Sequence, residues 1–275
     1  MAETTGSCVS LYIATGVVTV TVLLLYIRRA KSSPAEPHPR DTVMLHQLGK
    51  GVHAPSISPF VLKLETYLRM SNIPYKNLFD KKMSSKGKTP WIEYNGEQVP
   101  DSEFCIEYLS AKFNVDLNSK FSHSDRAIGR AFRKLAEEDV YWYIGLSRCV
   151  YDRHRTIFSR LGLRWLIRKI LERKALTSAW HHGIGRHSET EVTHIAVGDL
   201  KALSDFIGDK RFLLGDTPCQ EDCAVFGILA QVVWQMPGSD GERAVNEKYA
   251  NLRQYCVRIK DKYWPDWDDR VMESV

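Results

Sequence analysis

Between Val43 and Ala111 the hydrophobic period switches from two to 3.6 and back again inside a single domain's length, and few folds tolerate that order. Val43, Leu45 and Leu48, with His46 among them, suit a short buried strand. A helix follows, with Phe60, Leu64, Tyr67 and Leu68 recurring at three and four residues as one apolar face. Ser58 before Pro59 marks its start, a hydroxyl at the cap and a proline at the first helical position. Asn72 and Pro74 stop it, and IPYKNLFD reads as a second strand. After Thr89-Pro90, the run Trp91, Ile92, Tyr94 predicts a strand that reverses at Asn95-Gly96. That dipeptide is the sharpest short hairpin signal, because a type I′ turn needs positive φ at both residues. Gln98 and Val99 begin the return strand. Asp101 or Ser102 then caps a helix whose buried face is expected at Phe104, Cys105, Tyr108 and Leu109.

This order of elements, with the phrases SPFVLKLETYLRM (58–70), GKTPWIEYNGEQV (87–99), HGIGRHSE (182–189), DCAVFGIL (222–229) and YWPDW (263–267), resembles the glutathione transferase fold. Within that fold it resembles most the failed axon connections family, a metaxin-related branch. The resemblance runs from about Leu45 to Trp267. It implies an α/β plus all-α architecture: a thioredoxin-like domain over 42–114 and an all-helical transferase-type domain over 121–268.

The chain has 275 residues, enough for two moderate domains with a sizeable core. Its 44% hydrophobic content excludes a disordered chain, and a net charge of +5 is too modest to call for a nucleic-acid partner. Six cysteines (8, 105, 149, 219, 223, 256) show no C-x-x-C pair and read as reduced thiols, not a disulfide framework.

No charged residue occurs between Gly6 and Ile27, and Arg28, Arg29 and Lys31 follow at once. That length crosses a bilayer, and the basic flank is expected to stay cytosolic. A signal peptide would carry its positive charge before a shorter apolar core. Residues 1–31 therefore read as a single-pass anchor with its flank, and 32–41 (SSPAEPHPRD) as a proline-rich linker. The folded part is placed in the cytoplasm. Endoplasmic reticulum, mitochondrial outer membrane and plasma membrane are all compatible.

The resemblance also implies three places where a transferase would hold glutathione. The first is the start of the first helix, where Ser58, or Ser56 two residues earlier, would meet the sulfur near the positive end of the helix dipole. A serine there can support a thiolate but cannot form a mixed disulfide. The second is Thr89-Pro90, matching the family's cis-proline step, whose backbone pairs with the cysteinyl part. The third is Asp101-Ser102, where a hydroxyl and free N–H groups at a helix start suit the γ-glutamyl carboxylate. Each also has a purely structural reading, since Ser58 and Asp101 are good caps and a cis-proline serves the fold alone.

In the C-terminal half, 122–151 predicts one long helix opened by a Ser122/Asp125 capping box, with Ile128, Phe132, Leu135, Ala136, Val140 and Tyr143 along one face. Tyr141, Trp142, Tyr143 and Tyr151 suit either a cleft lining or plain core. Residues 153–174 carry eight basic residues and one acid. Over 161–174, Leu163, Leu166, Ile167, Ile170 and Leu171 fall on one side, flanked by Arg164, Arg168 and Lys169. That pattern fits contact with anionic headgroups or an ordinary solvated helix face. His181, His182, His187 and His194 lack metal-ligand spacing, so no metal site is expected. Ser188 and Glu191 form a second capping box. Cys219 stands where the family's late core helix has a Ser/Thr cap, with Asp222 three residues on. Thr217 before Pro218 is expected to cap one turn earlier instead, and Cys219 and Cys223 to be buried thiols. A helix over 251–263 ends at YWPDWDD, whose Trp264 and Trp267 are expected to dock the tail.

Two functions follow from the resemblance. One is a membrane-anchored, non-catalytic or weakly catalytic adaptor. The other is a glutathione transferase using Ser58. A homodimer is implied by the fold; glutathione is the one small molecule implied.

Overall fold

The computed structural model describes residues 39–152, 158, 160–162 and 165–272. The span expected over 6–27, its basic flank and most of the linker lie outside these residues. Among the described residues no helix is long and apolar enough to cross a membrane. From Asp41 onward the chain forms one compact unit.

Four short strands build the sheet: β1 (Val43–His46), β2 (Tyr75–Leu78), β3 (Trp91–Tyr94) and β4 (Glu97–Pro100). Their order is β2-β1-β3-β4. β1 runs parallel to β2 and antiparallel to β3, and β3 pairs with β4 through the Asn95-Gly96 turn. Both turn residues have positive φ, 48° and 86°, as a type I′ turn requires. The parallel pair needs a crossover, which α1 (Pro59–Met70) supplies. β1 is buried along its whole length, which fits a central strand covered on both faces. α2 (Ser102–Phe113) closes the layer and ends on Asn114 in the left-handed region.

The helical layer follows. α3 (His123–Lys134) starts at the Ser122/Asp125 capping box. The long helix expected from there is continuous but not uniform. Leu135–Val140 and Ser147–Tyr151 wind as π-turns on either side of α4 (Tyr141–Leu146). Such bulges shift the facing register; Glu137, inside the first, is buried, whereas Ile128, in α3 before it, is exposed. α5 (Trp165–His182) is followed by a 3₁₀ turn at Ile184–Arg186 and by α6 (Glu189–Ile207), which opens at the Ser188/Glu191 box. α7 (Gln220–Trp234) is the core helix, with 13 of its 15 residues buried. α8 (Asp240–Glu247), α9 (Ala250–Tyr263) and the short α10 (Trp267–Arg270) complete the order.

Three expectations are corrected here. Leu48 lies past the end of β1 and is exposed, because the strand ends at His46. Phe104 is 51% exposed, and the inward face of α2 is Ser102, Cys105, Ile106 and Leu109. The helix meets its neighbours through Cys105, Ile106 and Leu109, and Phe104 turns outward while Tyr108 is half-buried. The cap of α7 is Cys219 itself, not Thr217. Asp222 makes that start work: its buried carboxylate accepts from the N–H of Cys219 at 2.7 Å, the N–H of Leu213 at 2.8 Å and the hydroxyl of Tyr255 at 2.6 Å. The weak sulfur acceptor is thereby relieved of the capping task.

α1 and α7 cross with their backbones nearly touching. A Cβ placed on Gly227 would stand 2.5 Å from the Pro59 carbonyl oxygen and 2.9 Å from the Lys63 nitrogen. Only glycine allows that approach. The tail docks on the same helix. The indole N–H of Trp264 donates to Thr66 Oγ1 at 3.1 Å, and Arg69 lies 4.0 Å over the Trp264 ring while donating to both Asp266 oxygens. Glu65, fully buried, gathers Tyr75 at 2.8 Å, Asn77 at 2.9 Å and Arg270 at 2.7 Å on one oxygen. Trp264 thus fastens the tail to the thioredoxin-like layer, while Trp267 packs on Phe226 and Trp234 of α7.

Candidate functional site at the head of the first helix

The ladder gathers the three expected segments at one end of the sheet. Trp91 pairs with His46 on β1 and with Pro100 on β4. Thr89-Pro90, just before Trp91, therefore lies opposite Asp101-Ser102, just after Pro100. The loop leaving β1 runs from Gln47 to Ser58 at this same end. The Thr89-Pro90 bond is cis. Asp101, not Ser102, is the cap of α2, accepting from the Glu103 N–H at 2.9 Å, and Ser102 is buried behind it.

Ser58 caps α1 through a long bond of 3.4 Å from the Val61 N–H. Its own hydroxyl hydrogen donates to no acceptor among the described residues. Ser56 is buried, and its Oγ accepts from the Ser58 N–H at 3.2 Å. Ser56 therefore holds the entry to the helix, and Ser58 is the residue that faces outward. The first turn of α1 carries no acid. A helix start with unopposed N–H groups favours an anion.

The surroundings were not foreseen from sequence. Gln231 on α7 and Gln235 at its C-terminal cap, both fully buried, grip the loop before Ser58. Gln231 donates to the Ser56 carbonyl at 3.1 Å, and Gln235 accepts from the His53 N–H at 3.2 Å. Arg148 donates to the Ile57 carbonyl at 2.9 Å and to Gln231 at 2.6 Å. No carboxylate partners Arg148 among the described residues, and burial pulls its guanidinium down to about 10. Two glutamines four apart in the apolar run VFGILAQVVWQM were the available signal. The head of α1 is further tied to α2 by Lys63, whose ammonium meets Glu103 at 2.5 Å and Glu137 at 2.5 Å. Arg133 closes the cluster on Glu103 at 2.7 Å and Glu137 at 3.3 Å. Two cations and two anions balance, so the seam is charged inside yet neutral as a whole.

Of the aromatic group, Tyr141 packs on Phe60 at 5.0 Å beside the helix head. Tyr143 is core and accepts from the Gly241 N–H at 2.8 Å. Trp142 lies against His182 at 4.7 Å. What these contacts show is packing, in the core for Tyr143 and beside the helix head for Tyr141. Burial pushes the Cys105 thiol up to about 12 and Cys149 up to about 11, and moves Cys219, Cys223 and Cys256 upward too. None of these five is a ready thiolate. Cys8 lies outside the described residues. Among the described residues no group of three or more His, Cys, Asp or Glu is arranged to hold a metal ion.

The model of the glutathione S-transferase N-terminal domain matches residues 59–154, and that of the C-terminal domain matches 196–259. An isoprene-epoxide glutathione S-transferase of Rhodococcus is 32% identical over 76% of this chain and 94% of its own length. Failed axon connections of Drosophila melanogaster is 33% identical over 84% of this chain. This chain belongs to the metaxin-related branch of the glutathione-transferase-fold family, the branch of failed axon connections. It spans 60% of the Drosophila relative's length. Human metaxin-2 is 23% identical over 84% of this chain and 92% of its own. Among solved structures, a glutathione S-transferase of Methylobacterium radiotolerans in complex with glutathione sulfonate superposes with a TM-score of 0.57 at 15% identity, covering 85% of this chain and 97% of that one. The likeness in fold therefore extends over both layers.

Proposed function

We propose that this protein is a membrane-anchored adaptor of the failed axon connections and metaxin type, non-catalytic or weakly catalytic. Residues 6–27 would cross the membrane once and keep the two layers, 42–114 and 121–268, in the cytoplasm. The observation that carries this reading is the state of the helix head. Ser58 offers one weakly engaged hydroxyl, with no ready thiolate among the described cysteines around it. The names of the relatives support work in axon development or at an organelle membrane, one of them being a mitochondrial outer membrane import complex protein of Arabidopsis thaliana. Contact of residues 161–174 with lipid belongs to the same reading.

A second reading is favoured by the likeness to the isoprene-epoxide enzyme. In it Ser58 donates to a glutathione thiolate, the Thr89 backbone pairs with the cysteinyl part, and Asp101 and Ser102 receive the γ-glutamyl end. Calorimetric titration of glutathione into the full chain, beside Ser58→Ala, separates the two. Millimolar or tighter binding, with thiolate absorbance lost in the variant, supports the enzyme. No heat at several-fold above cellular glutathione supports the adaptor.

A further inference from the structure

Among the described helices α5 is the least covered. Eleven large apolar side chains are exposed among the described residues, and six of them, Trp165, Leu166, Ile167, Ile170, Leu176 and Trp180, are on this one helix. Only Ala179 of its 18 residues is buried. Of the residues expected to form and flank an apolar face over 161–174, Leu163 and Arg164 lie outside the described residues. Lys169, Arg173 and Lys174 are exposed alongside the exposed apolar side chains, while Arg168, Leu171, Glu172 and Ala175 are half-buried around Ala179. The lone acid, Glu172, is neutralised by Lys169 at 2.9 Å.

The geometry points to an anionic lipid surface as the occupant of α5, with Trp165 and Trp180 as its interfacial anchors. The two indoles are 62% and 55% exposed and stand about 22 Å apart along the axis. That spacing suits a helix lying in the headgroup plane, where indoles concentrate. Lysines and arginines mixed with apolar groups fit there too, since their stems lie in the apolar zone while their heads reach phosphate. The same mixture suits other occupants poorly. A second copy seated face to face would set cations against cations, and protein interface cores are depleted of lysine. This inference rests on the anchor reading. The basic flank and the linker over 32–41 together, residues 28–41, extend at most about 50 Å, so a tethered domain stays within reach of the bilayer.

The test uses the full chain reconstituted in vesicles of phosphatidylcholine, or of phosphatidylcholine with one quarter phosphatidylserine. Both carry phosphatidylcholine brominated on its acyl chains to quench nearby indoles. Alkaline extraction checks the anchor in the same samples. We expect the protein to resist extraction, and its emission to be quenched several-fold more with phosphatidylserine than without. That excess should vanish in W165F/W180F and in molar salt, and fall strongly in R173Q/K174Q. Retention after extraction with the same quenching in both lipids, or with an excess unchanged in W165F/W180F, overturns the role of α5 and leaves the anchor standing. Release of the protein by extraction overturns the anchor and this inference with it. Concentration-dependent cross-linking through α5, unaffected by lipid, would assign the face to a second copy and also overturn it.

Discussion

Gly227→Ala is the substitution on which the packing argument can be broken. The added methyl would meet the Pro59 carbonyl oxygen at 2.5 Å and the Lys63 nitrogen at 2.9 Å. Both are backbone atoms of α1, so no rotamer change relieves the contact, and the two helices must separate. Overpacking of this kind costs up to about 3 kcal/mol. Replacing glycine by alanine inside a helix returns about 1 kcal/mol. The net expectation is a loss of about 2 kcal/mol, or about 4–8 °C in Tm for a domain of this size. Gly129→Ala is the matched control. Its methyl would meet only side chains, Leu214 at 3.3 Å and Glu221 at 3.4 Å, which can yield. Its propensity gain then offsets the contact, and the net change is within about 0.5 kcal/mol. Thermal unfolding of the full chain in one detergent, followed by circular dichroism, reads both. If Gly227→Ala melts with the parent, or if Gly129→Ala falls as far as Gly227→Ala, the claim that α1 and α7 meet backbone to backbone is refuted.

Glu137→Gln leaves Lys63 and Arg133 to share Glu103, and breaking a buried pair on one side costs about 3 kcal/mol in urea denaturation. The double variant K63M/E137L should recover most of that, and no recovery would count against the network. Asp199 is pushed up to about 6 by burial and by the neighbouring Asp139. The folded state therefore prefers the neutral acid: the stability this confers is complete below the unfolded value of 3.8 and is lost as pH rises through about 6. Asp199→Asn should flatten that slope and gain about 1 kcal/mol at pH 7, discounted for partial exposure; a slope unchanged in urea melts at several pH values would assign it elsewhere. Arg69→Lys forfeits the two-pronged contact with Asp266, at 2.5 and 2.9 Å, and should cost about 1–2 kcal/mol while exposing the C-terminal tail to limited proteolysis. A tail as resistant as in the parent would show that Trp264 holds it unaided.

The elements were legible where one residue type is required by local geometry. Ser58-Pro59, Asn95-Gly96, Ser122 with Asp125, and Ser188 with Glu191 each decide a backbone conformation or satisfy an N–H within four residues, so the local sequence suffices. Which side of a helix goes inward was less legible. Phe104 and Ile128 have the right spacing for a buried face, but how α2 lies on the sheet and how the π-turns shift α3's successor are set by partners distant in sequence. The candidate site divides the same way. Ser58, Thr89-Pro90 and Asp101 announce themselves as a cap, a turn and a cap. That Ser56 rather than Ser58 is buried, and that Gln231, Gln235 and Arg148 clasp the loop before them, depends on contacts more than eighty residues apart.

Sequence alone determined the alternation of strand and helix, the apolar span at the N-terminus and the basic bias of 153–174, because these are properties of neighbours along the chain. Only the tertiary structure decided the charged seam of Lys63, Glu103, Arg133 and Glu137, the backbone contact at Gly227, and the exposure of most side chains on α5. Those depend on which surfaces meet, and a residue's burial is a property of the partner that covers it.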